Sequence, residues 1–181
     1  MKRIIVDDNF LSSYDKNYII DKINELKDLN LEILFKSDFS YTSKLREFIS
    51  FVCDSLGVDS ILKFKIILVV DELNNNAIEY GSLSGEFNKL RIIVNFNEND
   101  FKLNIEVEDT GKGNKHKTSY EMLQLGERKL LEGFYNHSIR GRGLFLIVKN
   151  IVNRLYFKDT EMGGLIVGIE KNINYKKIDK K

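Results

Sequence analysis

The apolar positions Tyr18, Ile19, Ile23, Leu26 and Leu29 fall at helical spacing within SYDKNYIIDKINELKDLN. That period predicts an amphipathic helix whose apolar face needs a surface, either the main domain or a partner subunit. LEILFK (Leu31 to Lys36) reads as a strand. From Tyr41 to Leu56 the helical period returns, with Leu45, Phe48, Ile49, Val52 and Leu56 on one face and Gly57 just beyond the end. Ser60 is the expected N-cap of the next helix, and Gly81 its C-terminal stop. The run IILVV inside that helix would also suit a strand, but the distance between the two end signals favours helix. KLRIIVNF and FKLNIEVE, joined by the turn-like NEND, predict a β-hairpin. A polar, glycine-flanked segment covers Asn114 to Arg140, and SYEMLQLGERKLLEGF inside it has helical character. A helix from about Gly143 to Val152, a strand RLYFK and a last strand LIVGIEK complete the order.

Strands in runs with helices gathered between them predict an α+β fold, a two-layer α/β sandwich. Its sheet is expected to be mixed and mostly antiparallel, with helices on one face. The 181 residues suit one domain with a full core. Residues 1–30 are expected to form a helical extension, 31–171 the domain, and 172–181 a basic, solvated tail.

Composition narrows the function classes. A formal net charge of +1 supplies no global field for nucleic acid or membrane. No apolar run approaches the roughly 20 residues that span a bilayer. The single cysteine, Cys53, allows no internal disulfide and fits a reducing, cytoplasmic setting; it sits beside a core face as a small hydrophobe. Two histidines, His116 and His137, show no metal-ligand spacing and read as exposed polar residues.

Three stretches carry chemistry. In VVDELNNNAIEYG, three consecutive asparagines load a helix with poor helix formers. Glu72 and Asn76 lie one turn apart on one face, where a carboxylate and an amide oxygen can share a ligand. Asn76 offers the neutral oxygen that magnesium accepts beside phosphate and water, and Glu72 can act as a general base. The second stretch is Asp109-Thr-Gly-Lys-Gly113, directly after a strand, where a carboxylate can meet an exocyclic amine and Gly111 and Gly113 permit tight turning. The third is Gly141-Arg-Gly-Leu144, a glycine loop feeding an apolar helix, whose free N–H groups suit phosphate with Arg140 and Arg142 beside it. Each alone also fits a blander reading: a polar helix face, an ordinary Asp/Gly loop, a flexible helix cap.

In this order, the Glu/Asn helix, the strand with DxGxG and the GxGL helix resemble the nucleotide-binding boxes of the GHKL superfamily. That superfamily includes DNA gyrase, histidine kinases, mismatch-repair ATPases and a heat-shock chaperone. The resemblance covers about residues 31–171 and implies a Bergerat-type ATP-binding sandwich, with an ATP lid at about 114–140. DELNNNA is similar to the corresponding box of the bacterial anti-sigma factor serine-protein kinases. The resemblance makes Glu72 the catalytic base, Asn76 the magnesium ligand and Asp109 the adenine-recognising carboxylate. Gly111 and Gly113 match the first glycine box, and Gly141, Gly143 and Leu144 the second, with Arg142 near the phosphates. Asn74 and Asn75 are then expected on the helix surface. One departure stands out: Leu165 follows Gly163-Gly164 where related domains carry a threonine hydroxyl for the adenine-aspartate network, and Thr110 offers a hydroxyl in its place.

The resemblance implies an ATP- and Mg2+-dependent serine/threonine protein kinase of anti-sigma type. Its substrate would be an anti-anti-sigma (STAS-like) protein, a sigma factor its sequestered partner, and a homodimer a common arrangement. An ATP-gated protein-binding regulator without transferase activity is the alternative, and an isolated ATPase a third. A full histidine kinase is disfavoured, because no dimerisation helix with a phosphoacceptor histidine precedes the domain.

Overall fold

A computed structural model describes residues 1–6, 13–132 and 151–174. Side chains alternate across a strand, so the apolar residues of β3 (Phe87–Phe96) and β4 (Asp100–Glu108) collect on one side of the sheet. Leu90, Ile92 and Val94 there meet Leu103, Ile105 and Val107, all buried. β2 (Leu29–Lys36) adds Leu29, Leu31, Ile33 and Phe35 to the same face, and β6 (Leu165–Asn174) adds Leu165, Val167, Ile169 and Ile173. With β1 (Lys2–Ile5) and β5 (Arg154–Asp159) they form a six-stranded sheet in the order β1-β2-β3-β4-β6-β5. Among the described residues only β1 and β2 run parallel, and every other neighbouring pair is antiparallel.

The apolar face is covered by helices. α2 (Thr42–Ser55) buries Leu45, Phe48, Ile49, Val52 and Cys53, and α3 (Ser60–Asn76) buries Ile66, Val69, Val70 and Leu73. This is the expected α+β sandwich. Burial pushes the Cys53 thiol up to about 12, which leaves it an unreactive core group. α4 (Ser119–Glu132) occupies the helical stretch predicted within the polar segment.

The opposite face is closed by charge instead. One row of cross-strand partners runs Arg3, Glu32, Arg91, Glu106, Gly168 and Tyr156 over all six strands. Arg3 grips Glu32 at 2.6 Å, Arg91 reaches both Glu32 and Glu106 and also pairs with Glu108, and the Tyr156 hydroxyl donates to Glu106 at 2.8 Å. Tyr156 lies directly over Gly168, where a side chain would collide with its ring. Glu32 is only 3% exposed beneath the two arginines.

Several local features differ from the sequence reading. β1 is too short for its alternation to announce it, and pairing with β2 defines it. α1 (Ser13–Asn24) ends before Leu26, which adopts a left-handed φ of 52°, and Leu29 opens β2. Its Ile19 and Ile23 are buried in the core, so the helix packs on the domain. Asp59, not Ser60, caps α3, its carboxylate accepting from the amides of Ile61 and Leu62 at 3.0 Å. β6 continues to Asn174, three residues into the expected tail. The predicted helix at 143–152 lies outside the described residues up to 150, as do the tail residues 175–181.

Candidate functional site

Glu72 and Asn76 occupy the last turns of α3, both half-buried. Neither side chain bonds to another described residue, so both are open to a ligand. Burial raises the Glu72 carboxyl above its ordinary value, and the neighbouring Asp71 charge adds to the effect. Asp71 itself is held away by Arg46 at 2.8 Å. Asn74 does not lie on the helix surface as expected. It faces the core at 1% exposure, and its amide oxygen is buried with no hydrogen-bond partner among the described residues. Past Asn76 the helix widens into a π-turn, Ala77–Gly81, a form that recurs at functional sites.

The π-turn delivers Gly81 against Asp109. A Cβ on Gly81 would overlap the Asp109 carboxylate, so only glycine allows the approach. From there the Gly81 carbonyl accepts the Gly113 amide at 3.1 Å, and a Cβ on Gly113 would collide with the Tyr80 carbonyl. Gly111, at φ +71° and packed on the Gly163 carbonyl, completes the turn. Sequence reading treated Gly81 only as a helix stop; the structure makes it the seam between the two motifs.

Asp109 directly follows β4 and is 9% exposed. Its Oδ1 accepts the amides of Gly111 and Leu165, each at 2.9 Å. Its own amide donates to the Leu165 carbonyl at 3.0 Å. Burial raises this carboxyl as well, against the lowering effect of the two amide bonds and of His116. No described donor reaches Oδ2. The Asp109 carboxylate is thus bonded by the backbone of Leu165 and not by the Thr110 hydroxyl. The Thr110 hydroxyl turns away to Glu86 at 2.5 Å, and its amide donates to Ser82, which in turn donates to the fully buried Asn88. This relay ties the loop after β4 to the start of β3. No single-sequence pattern signals it, because its members are spread over Ser82, Glu86, Asn88 and Thr110.

His116 also departs from its reading as an exposed residue. Its side chain is 19% exposed, and Nδ1 lies 3.6 Å from Asp109 Oδ1 with no hydrogen-bond partner. Gly141, Arg142, Gly143 and Leu144 lie outside the described residues, as do residues 133–140 of the expected lid and His137.

These features fit a purine nucleotide. A carboxylate with one oxygen saturated by amides and the other free matches an exocyclic amine. Among the described residues, no cluster of three His, Cys, Asp or Glu side chains is placed to hold a metal. A magnesium ion here would take phosphate and water oxygens beside the open Asn76 amide. No helix among the described residues is long and apolar enough to cross a membrane.

Comparison with known proteins agrees with the fold. No curated protein sequence matches the chain. Among solved structures, a chain in the crystal structure of the SiaB–SiaC complex from Pseudomonas aeruginosa superposes with a TM-score of 0.51 and 12% identity, covering 90% of this chain and 100% of that one. At that identity the likeness speaks for the fold alone. The family model for the histidine kinase-like ATPase domain matches residues 35–170, which span α2 and α3, the Asp109 loop, β5 and the first part of β6. The chain belongs to the histidine kinase-like ATPase domain family.

Proposed function

We propose that this domain is an ATP- and magnesium-dependent regulatory kinase that phosphorylates a serine or threonine on a small partner protein. One observation carries the reading: Glu72 is half-buried, without a partner among the described residues and raised above the ordinary carboxyl range, one helical turn from Asn76, which likewise bonds to no described residue. A base so placed takes a proton more readily than an exposed glutamate. Asn76 would hold magnesium, and Asp109 the base through its free Oδ2. Bound ATP would supply the phosphoryl group. Phosphoryl transfer depends mostly on positioning and electrostatics, and the expected contributions of Gly141, Arg142, Gly143 and Leu144 to phosphate binding belong to this proposal.

An anti-anti-sigma (STAS-like) protein is the proposed substrate, with a sigma factor as the sequestered partner and a homodimer as the working form. A chain of the same fold occurs in a two-protein complex, which is consistent with a protein partner. The gated-binding alternative draws on α4, whose first residue is fastened to β5 by the Ser119 amide and hydroxyl on Asp159, at 2.7 and 2.6 Å. A helix anchored at one end can relay nucleotide occupancy to a binding surface.

The test is transfer from γ-labelled ATP and magnesium to proteins of the host lysate, with Glu72→Gln and Asp109→Asn alongside. Label on one small protein, lost in both variants, supports the kinase. ATP binding without label in any protein moves the gated binder ahead. No ATP binding by the wild type sinks both readings.

A further inference from the structure

His116 is a part-buried polar group beside Asp109 that neither family motif accounts for. It follows the Asp109 loop, where its amide closes a turn on the Gly113 carbonyl at 3.2 Å. That turn brings the ring back over Asp109. Nδ1 is removed from solvent, lacks any partner among the described residues, and stands 3.6 Å from an oxygen already occupied by two amides. A buried nitrogen without a partner is costly, and such an atom beside a binding carboxylate calls for a ligand that satisfies it. In the neutral Nε2–H tautomer, Nδ1 is an acceptor. The site then presents two unfilled acceptors, Asp109 Oδ2 and, 3.6 Å from the other oxygen of the same carboxylate, His116 Nδ1.

We infer that His116 is a second base-recognition residue, and that Nδ1 and Asp109 Oδ2 together accept the two hydrogens of a purine 6-amino group. This deepens the ATP reading and rests on it. Two acceptors suit an amine, which has two hydrogens to give, and repel the carbonyl of a 6-oxopurine. Protonation of the imidazole would convert Nδ1 into a donor and cancel half of the receptor. The charged groups around the ring are Asp109 from the loop after β4, Glu121 from α4 and Asp159 from β5, with Lys115 and Lys117 flanking it in sequence.

The test measures equilibrium binding of ATP and of purine riboside triphosphate, which lacks the 6-amino group, to the full chain. Wild type, His116→Ala and His116→Asn are compared, the asparagine amide oxygen standing in for Nδ1. Losing one neutral hydrogen bond is expected to weaken ATP about fivefold to tenfold in His116→Ala, with the analogue unchanged and ATP affinity restored in His116→Asn. Equal loss of both nucleotides, or no change in either, overturns the inference while leaving the ATP reading intact. A wild type that binds neither nucleotide overturns both.

Discussion

The Leu165 amide donates to Asp109 Oδ1 at 2.9 Å, while the Asp109 amide donates back to the Leu165 carbonyl at 3.0 Å. This reciprocal pair locks the carboxylate to the last strand with backbone alone, so the identity of the side chain at 165 is free of the polar network. Leu165 instead buries its side chain at 5% exposure. Leu165→Thr is therefore expected to leave ATP affinity within about threefold while costing roughly 2–3 kcal/mol of stability, from lost apolar burial and a buried hydroxyl. Calorimetric titration and urea denaturation on the same preparation read the two effects separately. A large gain in affinity with threonine would show that the backbone pair is an inadequate substitute.

Gly81→Ala should act in the opposite way. The added Cβ overlaps the Asp109 carboxylate itself, and neither the π-turn nor the doubly bonded carboxylate can yield without breaking hydrogen bonds. Nucleotide affinity is expected to fall at least tenfold, about 1.4 kcal/mol or more. Leu83→Ala, at an exposed position two residues on, serves as the control and should bind normally. Normal binding by Gly81→Ala would mean that the Asp109 carboxylate is not the nucleotide contact.

How much of this was legible beforehand depends on the range over which each feature is encoded. The strands of the hairpin, α2 and α3 repeat their period over many residues, and the sequence pattern finds them. β1 has four residues and exists through pairing with β2, so no local signal marks it. Asp59 beats Ser60 as the cap because the carboxylate meets two amides, a choice that residue type alone leaves open. Glu72, Asn76, Asp109, Gly111 and Gly113 could be named from motifs. His116 and Gly81 could not be given their places, because each depends on a loop folding back over Asp109.

The raised carboxyls make stability depend on pH with a definite sign. Glu72 and Asp109 both hold a proton more readily in the fold than in the unfolded chain. Their contribution is therefore fully present below the ordinary carboxyl range and is lost as pH rises through the raised values. Glu72→Gln removes that loss, so its melting temperature at pH 7.5 should equal or exceed that of the wild type. The difference should shrink toward pH 4.5, while phosphate transfer disappears. Calorimetric melting at the two pH values measures this, and a variant markedly less stable at pH 7.5 would assign Glu72 a structural role.

Arg91 is the hub of the outer sheet face, touching Glu32, Glu106 and Glu108. Hydrogen bonds from Lys89 and Arg91 overcome the burial of Glu108 and hold its carboxyl below the ordinary range. Arg91→Met would leave Glu108 to Lys89, Glu106 to Tyr156, and the buried Glu32 to Arg3 alone, with the three acids still close together. A loss of roughly 3 kcal/mol is expected, because removing one partner leaves buried charge uncompensated. Adding Glu32→Gln should recover part of it. Urea denaturation of the single and double variants tests the coupling, and purely additive losses would count against a connected network.

The asparagine run separates into two physical roles. Asn74 points into the core with its oxygen unsatisfied, whereas Asn76, two residues on, leaves its amide open at the end of α3. Replacing Asn74 by alanine removes the stranded oxygen and installs the best helix former. Against a small cavity, the net expectation is a gain of about 1 kcal/mol with unchanged nucleotide affinity. Asn76→Ala should leave stability nearly unchanged and abolish the magnesium dependence of ATP binding. Measured together by denaturation and by titration with and without magnesium, the pair decides which asparagine the chemistry needs. A loss of magnesium-dependent binding in Asn74→Ala, with Asn76→Ala intact, would reverse the assignment and turn the unpartnered Asn74 oxygen into the ligand.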